Sequence, residues 1–303
     1  MNSAGTGATL LHADGAFVGA GDLRITWQSW EDATAPTRAH VVLAHGVAEH
    51  GGRYARLARE LAPRGFPVWA IDHRGHGRSE GPRLYVDRAD HAVADLAALI
   101  DHVAASDDGR PIFLLGHSMG GAIALRYALA HPGTLTGLIV SAPAATDDAA
   151  PAAMRFASRW LALDRILSRV TPGLGVLELD AAGLSRDPDE VAAYVGDPLV
   201  TRGKLPMRTV AEMRRMIRAF HRELGGLTVP LLVMHGEDDP LMPVAAARMI
   251  DERAGSEDRT LLIYPGLLHE IFNELPDDRE AVTTDVVAWL DLRAPRRTGR
   301  FKR

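Results

Sequence analysis

Pro111-Ile112-Phe113-Leu114-Leu115-Gly116-His117-Ser118-Met119-Gly120-Gly121 is the stretch that decides how this chain folds. An apolar run of strand length stands before Gly116, and helical spacing runs from about Met119 to Ala130. The segment therefore predicts a strand, a sharp turn and a helix. A turn this tight forces an unusual backbone conformation on Ser118. Gly116 and Gly120, two residues to either side, remove side chains that would clash there. The serine hydroxyl is then held up at the edge of a sheet.

The same rhythm extends outward. Residues 40–44, 67–71, 138–141, 231–234 and 261–264 are further apolar runs of strand length, and residues 53–63, 89–105 and 278–292 have helical spacing. Residues 9–30 read as short strands with turns at Asp14-Gly15 and Gly21-Asp22. Continuous apolar strands alternating with helices predict an α/β fold with a mostly parallel central sheet flanked by helices. The alternation stops over residues 145–227, which hold helical patterns and Pro/Gly turns but no buried strand. That stretch reads as a helical cap inserted over the C-terminal edge of the sheet, where α/β proteins bind ligands. The expected division is core over 1–144 and 228–292, cap over 145–227, and a basic tail over 293–303.

Composition narrows the function classes. The 303 residues are 47% hydrophobic and 24% charged, with a formal net charge of −5. That balance supports a full core and argues against a nucleic-acid partner, which calls for a strong basic excess. Arg293, Arg296, Arg297, Arg300, Lys302 and Arg303 form a local exception that reads as a solvated terminus. The absence of cysteine excludes disulfides, cysteine nucleophiles and thiolate metal sites. Neither a signal peptide nor an apolar run of about 20 residues is evident, so a cytoplasmic protein is expected.

A serine hydroxyl is a poor nucleophile at neutral pH and needs a base, which in turn needs an orienting acid. In a strand–turn–helix setting of this kind the chain order is serine, acid, histidine. The run 231–234 leads into His235-Gly236-Glu237-Asp238-Asp239-Pro240. Asp239, beside the turn-forming Pro240, is the expected acid, with Asp238 as its competitor. The run 261–264 leads into Pro265-Gly266-Leu267-Leu268-His269-Glu270, and His269 is the last histidine in the chain. It is the expected base. The oxyanion hole needs two backbone N–H donors. Met119 supplies the one after the nucleophile, and Val47, following the run 40–44 and His45-Gly46, is expected to supply the other. Asp72-His73-Arg74-Gly75-His76-Gly77-Arg78-Ser79 reads as a loop braced by its own polar side chains beneath the site, with His117 also structural. No metal or organic cofactor is expected, since His45, His50, His73 and His76 lack ligand spacing.

At these residues the sequence resembles the monoacylglycerol lipase family of the α/β-hydrolase fold. The resemblance rests on His45-Gly46-Val47-Ala48-Glu49-His50 with Arg53-Tyr54, on the loop 72–79, and on Gly116 to Gly121. It ends with Tyr264-Pro265-Gly266-Leu267-Leu268-His269-Glu270-Ile271-Phe272-Asn273-Glu274. It implies Ser118, Asp239 and His269 as the triad, Val47 and Met119 as oxyanion donors, and monoacylglycerol or a similar single-chain lipid ester as substrate. Residue pattern alone implies only an ester-type hydrolase. Lysophospholipase or general carboxylesterase activity competes within this class. A hydrolase-fold protein that binds a ligand without turnover is the reading from another class, and the full set of three groups disfavours it.

The cap reads as the lipid-facing part. One expected helix runs from Met154 to Val170 and includes Trp160 and Ile166; another runs from Met207 to Leu224. In the second, Val210, Met213, Ile217 and Phe220 share a face, with Arg208, Arg214, Arg215, Arg218 and Arg222 largely elsewhere. Trp160, Ile166, Met213 and Ile217 are the expected acyl-chain contacts. Apolar faces flanked by arginines suit peripheral contact with an anionic lipid surface as well as packing on the core.

Overall fold

The computed structural model describes residues 10–106, 109–146 and 168–294. Its centre is an eight-stranded sheet of β1 (Leu10–Val18), β2 (Arg24–Asp32), β3 (His40–Ala44), β4 (Val68–Asp72), β5 (Ile112–His117), β6 (Gly137–Ser141), β9 (Leu231–Gly236) and β10 (Arg259–Tyr264), in the order β1-β2-β4-β3-β5-β6-β9-β10. From β4 through β10 all neighbours are parallel, while β1 and β2 add an antiparallel edge.

The continuous apolar runs have a direct physical cause: both faces of the sheet are covered. On β5, Ile112 and Leu114 pack with α2 (Ala89–Ser106) and α3 (Met119–Ala130), through Leu96, Leu99 and Ile123. Phe113 and Leu115 face the other side, with Leu57 and Leu61 of α1 (Ala55–Leu61) and Val286 and Trp289 of the last helix, Pro276–Arg293. Two residues of one strand thus belong to each core.

One expected turn is corrected. Asp14-Gly15 lies within β1, which pairs with β2 without interruption from Leu10 to Val18. The glycine makes room for an aromatic ring: a Cβ on Gly15 would stand 2.4 Å from the Trp27 ring across the strand pair. Gly21 does turn, at φ 69°.

Between β6 and β9, the described residues contain β7 (Gly175–Leu177), α4 (Pro188–Gly196), β8 (Leu205–Pro206) and α5 (Met207–Glu223). Asp187 caps α4 by accepting from Asp189 N–H, with Pro188 in the first turn. β7 and β8 pair antiparallel, and β8 is buried. This corrects the expectation of no buried strand; a two-residue strand gives no periodicity to read. The helix expected over Met154–Val170, with Trp160 and Ile166, lies almost wholly outside the described residues. After β9 come α6 (Ala245–Arg253) and α7 (Pro276–Arg293).

The loop after β4 is braced as expected. Arg74 donates Nε to Asp95 Oδ2 at 2.8 Å and Nη2 to Asp95 Oδ1 at 3.0 Å, and Nη1 reaches Asp87 at 2.9 Å. Asp72 accepts from Gly51 N–H at 2.8 Å and Arg78 N–H at 2.9 Å. The Arg74 and Asp95 side chains are 2% and 0% exposed, so removing one charge strands the other away from water. Arg74→Met is expected to lower folding stability by roughly 3–5 kcal/mol in urea unfolding. A loss below about 1 kcal/mol would show that the pair is screened as a surface pair is.

Candidate active site

Ser118 stands between β5 and α3 with φ 52° and ψ −117°, outside the regions open to most L-residues. Its neighbours hold it there. Ser118 N–H donates to Ser141 C=O at 2.9 Å, and its own C=O accepts from Ala122 N–H at 3.1 Å and Ala144 N–H at 3.0 Å. The flanking glycines are sterically required: a Cβ would meet Gly120 C=O at 2.5 Å from Gly116, and Ala44 C=O at 2.1 Å from Gly120. The turn is therefore wedged against the end of β3.

The loops after β9 and β10 bring the other two expected residues together. Glu237 N–H donates to Tyr264 C=O at 2.9 Å and Asp238 N–H to Leu267 C=O at 3.1 Å, so backbone bonds lock one loop on the other. Within that frame His269 Nδ1 is 2.7 Å from Asp239 Oδ2. Asp239 is buried, and its other oxygen accepts from Leu241 N–H at 2.8 Å and Met242 N–H at 2.9 Å. Glu237 and Asp238 are exposed. Of the three acids, only Asp239 meets the histidine.

His235 was not anticipated from sequence. Its Nε2 lies 2.8 Å from Met242 C=O and 3.1 Å from Asp239 Oδ2. A carbonyl only accepts, so Nε2 carries the proton and adds a second donor toward the carboxylate. Burial disfavours charge on Asp239, but His269, His235 and the Met242 amide outweigh it and hold its pKa well below the usual carboxylate range. Burial likewise disfavours the His269 imidazolium, and the Asp239 carboxylate outweighs that too, raising His269 above an ordinary histidine. His117 lies at 4.7 Å ring to ring from His269. Burial and that neighbour push it down to about 4, so it is neutral.

Val47 faces the same space as Ser118. Gly46, just before it, backs onto Ser118: a Cβ there would stand 3.3 Å from Ser118 Cβ. Gly46 N–H is already engaged with Glu49 Oε1 at 2.6 Å. Met119 is buried at the first position of α3. Glu49 also accepts from Tyr54 OH at 2.9 Å and from Arg53 at 2.9 Å, and Arg53 reaches both oxygens of Glu270, at 2.5 and 2.7 Å. The sequence alone assigns Glu49, Arg53, Tyr54 and Glu270 no role. Side chains this close in space but 217 residues apart in sequence leave no local signal.

A cavity of about 280 Å³ opens on Ser118 and His269. Met213 and Ile217 of α5 line it, with Leu179, Leu184, Leu205 and Leu241. Arg214 corrects the expected arginine margin: it is buried and lines the cavity. Trp160 and Ile166 lie outside the described residues. Those residues contain no group of three or more His, Asp or Glu arranged to hold a metal ion.

Residues 35–276 match the model of a family described as serine aminopeptidase, S33. A monoacylglycerol lipase of Mycolicibacterium smegmatis is 40% identical over 277 residues, 91% of this chain and 95% of that protein. The human monoglyceride lipase is 34% identical over 286 residues, covering 94% and 90%. Among solved structures, a monoacylglycerol lipase of Paleococcus ferrophilus is similar at 32% identity and a TM-score of 0.75, with 93% of this chain and 98% of that one covered.

Asp239→Asn removes the largest charge that raises the pKa of His269 and leaves Glu270 and Glu49 to oppose burial. In a nuclear magnetic resonance titration of the imidazole, Asp239→Asn is expected to titrate at lower pH than the wild type. Equal midpoints would show that the carboxylate does not set the protonation of His269.

Proposed function

Because the chain belongs to the monoacylglycerol lipase family of serine hydrolases, we propose that it cleaves the ester bond of monoacylglycerols, with Ser118, His269 and Asp239 as its triad. The observation that carries this reading is the 2.7 Å contact of Asp239 with His269 at a cavity that also exposes Ser118. With the Nδ1 proton donated to Asp239, Nε2 is left to act as base. Ser118 Oγ attacks the ester carbonyl as His269 Nε2 takes its proton. Val47 and Met119 N–H groups receive the oxyanion. The intermediate collapses, His269 returns the proton to the departing glycerol oxygen, and an acyl-enzyme remains. Water, deprotonated by His269, then releases the fatty acid and regenerates Ser118. Charge development is met by backbone donors and the His–Asp pair, so the proposal includes no metal or organic cofactor.

Residues 145–227 act in this reading as the lid that keeps the acyl chain from water. Its support is the leucine, Met213 and Ile217 lining above the nucleophile. Exposed Arg169, Val170 and Leu174 on the same insertion support peripheral contact with a lipid surface. Among the described residues, no helix is long and apolar enough to cross a membrane.

Ser118→Ala is expected to lower turnover by several orders of magnitude and to abolish fluorophosphonate labelling. Asp239→Ala should be similarly impaired and Asp238→Ala close to wild type. A labelled, active Ser118→Ala protein would refute the nucleophile, and an impaired Asp238→Ala alone would refute the acid.

The lid reading is tested with esters of graded length. Met213→Glu is expected to lose long-chain monoacylglycerol turnover at least tenfold more than short-chain turnover, and Val170→Glu to weaken sedimentation with anionic vesicles. Equal loss across chain lengths would mark Met213 as merely structural, and unchanged sedimentation would remove Val170 from any lipid contact.

A further inference from the structure

His45 is fully buried, follows β3, and has no part in the triad. Its two ring nitrogens have different partners. His73 N–H donates to His45 Nε2 at 2.9 Å, and Nδ1 is 2.6 Å from Gly46 C=O. A backbone N–H can only donate, so Nε2 is the unprotonated nitrogen. A carbonyl can only accept, so Nδ1 holds the proton and donates. Both contacts demand the same single tautomer. The His73 and His76 rings pack beside His45 at 4.6 and 5.5 Å. Burial, helped by His50 and Arg53 and opposed by Asp72, lowers its pKa to about 4, so the neutral form persists at ordinary pH.

Gly46 C=O and Val47 N–H belong to one peptide unit. In a trans peptide these two groups point to opposite sides of the chain, and no cis bond occurs among the described residues. Fixing the carbonyl therefore fixes the amide. We propose that His45 is a positioning residue: by binding the Gly46 carbonyl on the core side, it aims the Val47 N–H at the ester carbonyl oxygen on the cavity side. The inference rests on Val47 as an oxyanion donor. The rest of the turn is held to match. Glu49 Oε1 takes Gly46 N–H, and Thr201 N–H donates to Ala48 C=O at 2.9 Å. Positive φ at Ala48, 73°, after a residue without it, is the type II turn pattern. These contacts hold the peptides on either side of the turn, and His45 holds the Gly46–Val47 peptide between them. The loop after β4 gains a purpose here, because His73 N–H sets the His45 tautomer.

Two substitutions separate the two nitrogens. Asn places an amide N–H where Nδ1 stands, and Gln places an acceptor oxygen near Nε2. His45→Gln is expected to lower kcat on a water-soluble short-chain ester about ten- to a hundredfold with KM unchanged. Affinity for a trifluoromethyl ketone, whose adduct carries the oxyanion, should fall in parallel. His45→Asn should recover most of both. Val47→Pro removes the amide at a turn position that accepts proline and should lose activity whatever the state of His45. A Val47→Pro protein with wild-type kcat would end the donor reading. An impaired Val47→Pro beside a His45→Gln protein of wild-type kcat would leave that reading standing and overturn the role of His45. Equal loss in Gln and Asn would also overturn it. A measurement on the unaltered protein covers variants that fail to fold: ¹⁵N spectra should show the Nδ1–H tautomer of His45 from pH 6 to 9, and the Nε2–H tautomer would refute the proposal.

Discussion

The structure turns on the backbone of Ser118. Holding a non-glycine residue at φ 52° costs on the order of 1–3 kcal/mol, and it persists only where the surroundings over-determine it. Here those surroundings are strands buried along their whole length. β5 delivers the serine, Ser141 at the end of β6 binds its amide, and Gly120 lets α3 press on the β3 terminus. Because α3 touches β3, Ser118 and the turn at Gly46–Val47 are set by one contact. Strain at the serine and placement of the proposed oxyanion donors are thus parts of one packing problem.

The histidines around this point differ by surroundings alone. His269 faces a buried carboxylate at 2.7 Å and is raised; His117, a ring's width away, lacks one and is lowered to about 4. His45 and His76 are also lowered, to about 4 and about 3, chiefly by burial. Near neutral pH the site therefore holds one histidine poised to gain a proton among several that cannot. A cluster of imidazoles sharing protons would give the base competing partners. Burial without an acid removes that competition.

Much of this was legible in the sequence, and the reasons are local. The elbow, the helices α2, α3 and α7, and all the parallel strands announce themselves through apolar runs and glycine spacing. Asp239 could be singled out from Asp238 by its place next to Pro240. What failed to show was either short or non-local. β8 has two residues, and the Gly15 turn was a glycine making space for Trp27. His235 looked like a strand end because its partner, the Met242 carbonyl, is backbone. Arg214 sits on the apolar side of α5, where charge spacing argues against it. The Arg53–Glu270 pair joins residues from opposite ends of the chain, which a single sequence cannot pair.

The insertion is tied to the site at the point where chemistry is proposed. Thr201 N–H binds Ala48 C=O, His50 Nε2 lies 2.9 Å from Asp197 Oδ2, and Arg53 lies over Tyr194 at 4.8 Å from the ring centre. All three contacts end on residues 48–53, directly after Val47. Glu270, which holds Arg53, is the neighbour of His269. A lid joined only through its apolar lining would affect how tightly an acyl chain binds and nothing more. One joined through the proposed oxyanion turn and the loop of His269 would also bear on the geometry of attack. Tyr194 of α4 both meets Arg53 and lines the cavity, so a displacement of α4 would reach the two together. In the proposed reading, the polar contacts that span the insertion and the core couple the lid over an acyl chain to the alignment of the Val47 amide.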